Sequence, residues 1–167
     1  MIPETDLYAA AFFLADHASV ENGKIYMNGG FWNQMQFATF PATATFSIVG
    51  VINVPWQAHN QLHKFEVIFT DADGHPFDGA FSGEFQITPA QGAPVGEPFL
   101  MPIAANANGF VFQAPGHYSA QLLVDGDELG RWGFRVNATA SPDGGAPGGG
   151  TPGAPGAGSG PADIPRF

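Results

Sequence analysis

The residues best suited to chemistry are two histidines four positions apart, His59 and His63. On a helix this spacing places both imidazoles on one face, where they could hold a metal ion. No glutamate follows His59 as a general base would, and the segment is a short connection that follows Pro55-Trp56. We therefore expect Asn60 and His63 to hydrogen-bond the connection between two strands.

Acidic residues cluster at two glycine-containing turns. Asp71-Ala72-Asp73-Gly74-His75 resembles the first half of a calcium loop, but His75 and Ser82 stand where an EF-hand places further oxygen ligands. Asp-Gly pairs favour tight turns without any ion, and the same holds for Asp125-Gly126. We predict that the chain holds no metal and no cofactor.

A hydrolase would need a nucleophile and a base that converge in space. Asp16, His17 and Ser19 have suitable types but are too close in sequence to form a triad, and no Gly-x-Ser-x-Gly elbow is present. The chain has no cysteine, which excludes a thiol nucleophile and a zinc-cysteine site. Paired carboxylates for glycosidic chemistry stay open, because a sequence does not show their separation. The prediction is that the protein is not an enzyme.

Trp56 is the best candidate for an exposed aromatic side chain, because it follows a proline in a connection. Together with Asn60 and His63 it could form the binding cluster of a small-ligand or carbohydrate-binding module. Trp132 alternates in phase with Phe134, which favours a position in the core.

The last residues of the sequence form a second candidate site. Asp163, Ile164, Pro165 and Phe167 follow a stretch that is rich in glycine and proline. Large apolar residues beyond a solvated tether are typical of a docking peptide, and the tether raises the local concentration of such a motif near a partner.

The composition disfavours several functions. The net charge is −10, from 15 acidic and 5 basic residues, whereas nucleic-acid binding needs lysine and arginine to neutralise phosphates. The apolar run over residues 7–15 is about half the length of a membrane-spanning helix. Glu4 and Asp6 stand where a secretory signal would carry basic residues. We expect a cytoplasmic protein, or part of a particle assembled there, without nucleic-acid or membrane contacts.

The composition also changes sharply near Ala140. Residues 141–167 contain nine glycines and six prolines but only two large apolar side chains. Such a segment cannot bury enough surface to offset the entropy of ordering. We predict one domain over residues 1–140 and a disordered tail over residues 141–167. Removing the two Asp and one Arg of the tail leaves the domain at −9, from 13 acidic and 4 basic residues.

The elements that must position these residues are strands. Apolar and polar residues alternate with a period of two, as in strands with one buried and one wet face. The alternating segments are 43–54, 64–70, 81–87, 118–124 and 131–136. Residues 56–61 are compatible with one helical turn, and residues 89–96 and 104–109 are predicted loops.

The predicted turns agree with this pattern. Asn22-Gly23, Asp73-Gly74 and Asp125-Gly126 supply the positive φ angles of tight hairpins. The sequence therefore predicts an all-β fold, an antiparallel β-sandwich of about eight strands. It would be immunoglobulin-like or jelly-roll-like, with a barrel as the alternative.

Several motifs occur in a recognisable order. They are Leu14-Ala15-Asp16, Glu21-Asn22-Gly23-Lys24, Gly29-Gly30-Phe31-Trp32, Val54-Pro55-Trp56-x-Ala58-x-Asn60-x-x-His63-x-Phe65, Asp71-Ala72-Asp73-Gly74, Pro115-Gly116-His117-Tyr118 and Val124-Asp125-Gly126. Over residues 10–136 this order resembles a family of small uncharacterised actinobacterial proteins. The resemblance implies a β-sandwich and an actinobacterial or actinophage source, and it brings no known activity or functional residues.

The tip of the tail resembles a second family. Bacterial single-stranded-DNA-binding proteins end a Gly/Pro-rich tail in an acidic Asp-Ile-Pro-Phe tip, and Asp163-Ile164-Pro165-Arg166-Phe167 is similar apart from the inserted Arg166. The domain itself has too few basic residues to line the cationic groove of such proteins.

These observations favour a non-enzymatic module that binds a protein partner or associates with itself, with a tail whose tip docks to a partner. The alternatives are a small-ligand or carbohydrate-binding module and, more remotely, a tip that imitates the single-stranded-DNA-binding-protein peptide.

Overall fold

The computed structural model describes residues 6–139, with the backbone alone for Asp78 and Gly79. This part of the chain forms nine strands and one short 3-10 turn. The elements are β1 (Tyr8–Glu21), β2 (Lys24–Gly30), β3 (Gln34–Phe37), β4 (Ala42–Val54), the 3-10 turn (Trp56–Ala58), β5 (Leu62–Thr70), β6 (Pro76–Gln86), β7 (Phe99–Phe112), β8 (Gly116–Val124) and β9 (Asp127–Ala138). The predicted domain boundary and the predicted disordered tail lie outside the described residues.

The strands form two sheets that pack into a sandwich, so the predicted all-β fold is confirmed. One sheet has four strands in the order β2-β1-β4-β7, and the other has five in the order β3-β9-β8-β5-β6. Every neighbouring pair is antiparallel except β3 and β9, which run parallel. Within residues 6–139, no helix is long and apolar enough to cross a membrane.

The core lies between the two sheets. From β4 it receives Phe46 and Ile48, and from the opposite sheet Phe69, Leu122 and Phe134, all of them buried. Aromatic rings contact one another across this interface, with the Phe46 and Phe69 ring centroids 5.8 Å apart and nearly perpendicular. The period-two alternation read from the sequence selects these inward positions, because burial of apolar surface drives the packing.

The other face of β4 is buried as well. The alternation in the sequence predicts a strand with one buried and one solvent-exposed face. Ser47 is 1% exposed and Val49 is 0% exposed. β1 pairs with β4 only as far as Ala15, and beyond it β1 and β2 also contact β7. The Ala18 N–H donates to Ser47 Oγ over 2.9 Å. The β1–β2 hairpin therefore folds over β4 and creates a second small core.

One predicted loop is a strand. Residues 104–109 belong to β7 and pair with β4, as in the register Ala107 with Phe46. The pairing shifts by one residue at Gly109, which has a φ of +73°. This β-bulge matters because it lies in the wall of the cleft described next.

Candidate functional site

An opening in the sandwich lies between β6 and β7. Each is the last strand of its sheet within the described part of the chain, so each has one edge without a strand partner. A cleft of about 720 Å³ opens here to solvent. Its lining includes five aromatic side chains: Phe77, Phe81, Phe110, Phe112 and Tyr118. Its polar lining includes Asp71, Asn106, Asn108 and Gln113.

The aromatic rings of the cleft contact one another and are anchored in the core. The centroid of Phe110 lies 5.3 Å from that of Phe77 and 5.0 Å from that of Phe112. Phe112 also lies 5.1 Å from Tyr118. Phe110 packs against Phe69 of the core at 4.8 Å. Contacts on several sides hold these rings in place, so the wall is largely preformed.

The bulge at Gly109 determines which side chains of β7 face the cleft and the core. Ala107 and Phe110 are both buried although they are three positions apart, which regular alternation would not allow. A Cβ at Gly109 would meet no heavy atom within 4 Å. Glycine is required here by its positive φ, not by lack of space. Val111 also lines the cleft and remains 43% exposed.

Asp71 brings a carboxylate to the cleft. Its Oδ1 accepts hydrogen bonds from the backbone N–H groups of His75, at 2.9 Å, and Asp73, at 3.0 Å. These bonds, that to His75 foremost, hold the pKa of Asp71 below its usual value and outweigh the opposing effect of desolvation. The group therefore presents a negative charge at neutral pH.

Tyr118 and Asn106 supply neutral polar groups. Burial raises the pKa of Tyr118, and its hydroxyl donates to the carbonyl oxygen of Ala114 over 2.7 Å. The Asn106 Oδ1 accepts a short hydrogen bond from Ser47 Oγ. Both side chains are thus oriented by the sandwich itself.

The acidic turn after β5 also brings together three residues of metal-ligating type. Ligating atoms of Asp71, Asp73 and His75 lie within 4.8 Å of one another. One oxygen of Asp71 is engaged by two backbone amides, and Asp73 and His75 are exposed. Turn geometry accounts for this arrangement, so we assign no ion to it.

The structure places the predicted cluster of Trp56, Asn60 and His63 away from the cleft lining. Trp56 is half-buried in the 3-10 turn, with its ring 5.1 Å from that of His59. Asn60 is exposed, with a φ of +61°, and its N–H donates to the Ile87 carbonyl over 2.8 Å. The three residues therefore lie at one connection but do not present a common polar surface.

His63 is 4% exposed and both of its ring nitrogens are engaged. Nε2 lies 3.0 Å from the Ala58 carbonyl oxygen, and Nδ1 lies 2.7 Å from Asp125 Oδ2. A carbonyl only accepts, so Nε2 carries a proton, and a second proton on Nδ1 makes the ring a cation paired with Asp125. Burial opposes this charge, but the bonds to Asp125 and Ala58 prevail and raise the pKa of His63.

The same pair lowers the pKa of Asp125, mainly through the hydrogen bond from His63. Asp125 Oδ1 also accepts from the Lys64 N–H over 2.9 Å, which ties the β8–β9 turn to β5. A hydrogen-bonded His–Asp pair supplies two of the three residues of a hydrolase triad. In a triad the other ring nitrogen faces the nucleophile, whereas Nε2 of His63 faces the backbone carbonyl of Ala58. The pair therefore stabilises the loop.

Comparison with known proteins identifies the family. The model of a family of unknown function (DUF6941) matches residues 10–137. This chain belongs to DUF6941. The predicted resemblance to an uncharacterised family over most of the domain is confirmed. No curated protein matches the chain.

Among solved structures, this DUF6941 chain is similar to the Pseudomonas fluorescens alkylpurine DNA glycosylase AlkC bound to DNA containing an abasic site analog. The two share 12% sequence identity with a TM-score of 0.34. The match covers 76% of this chain and 30% of that chain, so this chain spans less than a third of its length. A likeness of this degree carries no argument about function.

Proposed function

We propose that the protein is a non-enzymatic protein-binding module, and that its cleft takes an extended peptide segment of a partner alongside β7. The observation that carries the proposal is the edge of β7, which has no strand partner among residues 6–139 and lies beside a preformed aromatic cleft. An extended peptide can add to such an edge, where its main chain provides affinity and side-chain pockets provide specificity.

The sequence of β7 supports this choice of edge. Natural proteins protect edge strands with charges, prolines or bulges, because an open edge invites pairing. Residues 103–112 contain no charged residue and no proline, and the bulge at Gly109 is their one such feature. β6, on the other side of the cleft, begins with Pro76 and carries Glu84. Pro102 also lies in β7, so the less protected part of this edge is residues 103–112.

The cleft also indicates what kind of peptide would bind. Its aromatic walls favour a large apolar side chain, whose burial is worth roughly 1.5–3 kcal/mol. The domain has a net charge of −9, and Asp71 adds a negative charge at the cleft. These charges favour a basic residue of the peptide next to its apolar side chain. We therefore propose a partner segment with apolar anchors and at least one lysine or arginine.

The absence of enzymatic activity is part of the proposal. His63 is the histidine with a raised pKa, and it is buried against a carbonyl rather than open to a substrate. The polar groups of the cleft are a carboxylate held by a turn, amides and a phenol, which suit recognition better than bond cleavage.

The volume of the cleft supports a second candidate function. At about 720 Å³ it falls within the range of pockets that hold small molecules. In this alternative the ligand is a small aromatic or aliphatic amine. This site differs from the one predicted for a carbohydrate-binding module at Trp56, Asn60 and His63, because those three residues share no open surface.

We also propose that the protein works in the cytoplasm of an actinobacterium, or in a particle assembled there by one of its phages. Support comes from the order of the sequence motifs, which resembles that of an actinobacterial family.

Selection from a displayed library of random heptapeptides against the full chain tests the proposed function. We expect enriched peptides to combine apolar and basic residues and to lose binding to Val111→Lys. The matched control is Val20→Lys, because Val20 is the same residue type, 38% exposed, on β1 of the same sheet. Failure to enrich any peptide, or full binding to Val111→Lys, would overturn the proposal.

A further inference from the structure

We infer that residues 161–167 of this chain occupy its own cleft when no partner is bound, so that the tail competes with the partner. The inference rests on the proposed function, because it names an occupant for the same site. Three independent features of the chain lead to it, namely the chemistry of the segment, the point at which the tail leaves the sandwich and the length of the connection.

The chemistry of the segment matches that of the cleft. Ile164 and Phe167 are the two large apolar residues in the 27 residues from 141 to 167. Arg166 is the single basic residue of the same stretch, and Asp163 lies three positions before it, so the side chains of residues 161–167 have no net charge. Apolar anchors beside one positive charge are what the aromatic walls and the Asp71 carboxylate favour.

The described chain ends beside β3, and a short series of contacts connects this point to the cleft wall. The Thr139 N–H donates to the Phe37 carbonyl oxygen over 2.9 Å. The ring of Phe37 lies 6.3 Å from that of Phe112, which is 1% exposed and lines the cleft. The tail therefore departs beside β3, at the edge of the five-stranded sheet opposite β6, and the side chains of Phe37 and Phe112 lie between this point and the cleft.

The connection is long enough to reach back. Residues 140–160 separate this departure point from the segment and are rich in glycine and proline. For a glycine-rich sequence of this length, the general expectation for the end-to-end distance is roughly 25 Å, which exceeds the 6.3 Å between the Phe37 and Phe112 rings. Its local concentration at the cleft is on the order of 1 mM, so even a weak intrinsic affinity leaves much of the cleft occupied.

Paramagnetic broadening in the full chain gives a direct test. The chain has no cysteine, so Ala162→Cys provides a single site for a nitroxide label. We expect the label to broaden the amide signals of residues 106–113 and of Tyr118 selectively. Adding the double substitution Ile164→Ala/Phe167→Ala should abolish this pattern, whereas Pro152→Ala/Pro155→Ala, which leaves the segment intact, should preserve it.

Two further outcomes of the same measurement would overturn docking within one chain. Nitroxide-labelled chains are mixed with isotope-labelled chains that carry no nitroxide, which detects docking onto a second copy. Broadening of the signals of the isotope-labelled chains would overturn docking within one chain. No selective broadening, or a pattern that survives Ile164→Ala/Phe167→Ala, would overturn the inference as well.

Competition separates this inference from the proposed function. A library-selected peptide should bind the Ile164→Ala/Phe167→Ala chain about fivefold more tightly than the unsubstituted chain, because the cleft is no longer partly occupied. Equal affinities would contradict the inference and leave the proposed function standing. Failure of the library to yield a peptide that binds the cleft of either chain would contradict the proposed function itself.

Discussion

Phe77 of β6 and Phe110 of β7 face each other across the open side of the sandwich, with ring centroids 5.3 Å apart and planes at 67°. They belong to different sheets, so ring contacts connect the two sheets here, whereas a barrel would have backbone hydrogen bonds. Within the described part of the chain, no strand pairs with the outer backbone edge of β7, and the aromatic rings lie beside it. This combination is the basis of the proposed peptide site.

The bulge of β7 depends on one backbone angle. Gly109→Ala should lower the free energy of unfolding by about 1–2 kcal/mol, because an L-residue is strained at a φ of +73°. Gly133→Ala is the matched control. A Cβ added at Gly133 would also meet no heavy atom within 4 Å, and the φ of Gly133 is not in the left-handed region. Denaturant unfolding of both variants checks this, and equal stabilities would contradict it.

The buried hydroxyl of Ser47 joins β1 to β7 through β4. Ser47→Ala leaves the Ala18 N–H and the Asn106 Oδ1 without this partner, so we expect a loss of about 1–3 kcal/mol. Ser82→Ala, at an exposed position on β6, should change stability by less than about 0.5 kcal/mol. A Ser47→Ala protein as stable as the Ser82→Ala protein would refute the bridging role.

The His63–Asp125 pair predicts a specific pH dependence of stability. The pKa of His63 is raised, so its contribution is complete below about 6.5 and is lost as pH rises through the raised value. The pKa of Asp125 is lowered, so its contribution is present above about 3.8 and is lost as pH falls through the lowered value. The pair therefore stabilises most between about pH 4 and 6.5.

Asp125→Asn tests this window while keeping a residue that suits the turn. We expect a loss of about 1 kcal/mol near pH 5.5 that shrinks toward pH 8.5, a modest value because half of the Asp125 side chain is exposed. Urea unfolding at both pH values measures it, with Asp73→Asn as the exposed control. A loss that does not depend on pH would show that His63 is neutral in the folded protein.

The acidic turn after β5 should be independent of metal. Melting temperatures in calcium and in a chelator should agree, because backbone amides engage Asp71. Asp71→Ala should lower the melting temperature more than Asp73→Ala, since two turn hydrogen bonds are lost. A clear increase in melting temperature with calcium that Asp71→Ala abolishes would instead establish an ion site.

Much of the fold follows from local sequence pattern. The buried positions of β8 and β9 follow the predicted alternation, because one face of each strand must meet the opposite sheet. Asn22-Gly23 and Asp125-Gly126 form the predicted two-residue turns, with positive φ at all four residues. Their side chains tolerate this conformation at low cost, which is a property of the residues themselves.

Other features depend on tertiary contacts that no local pattern reveals. Residues 104–109 are alanine, asparagine and glycine, which have low strand propensity, and pairing with β4 makes them a strand. β3 is four residues long and lies parallel to β9. The cleft joins Phe77 and Phe110 from different sheets, so its prediction would have required the order of the strands.

The most direct test of the peptide site is hydrogen exchange of the full chain carrying Ile164→Ala/Phe167→Ala, with and without a library-selected peptide. β-strand addition predicts that amides within residues 106–112 exchange more slowly when the peptide is bound, because the open edge of β7 gains hydrogen-bond partners. Bound peptide with unchanged exchange in β7, or with protection on β2 instead, would contradict the proposed site.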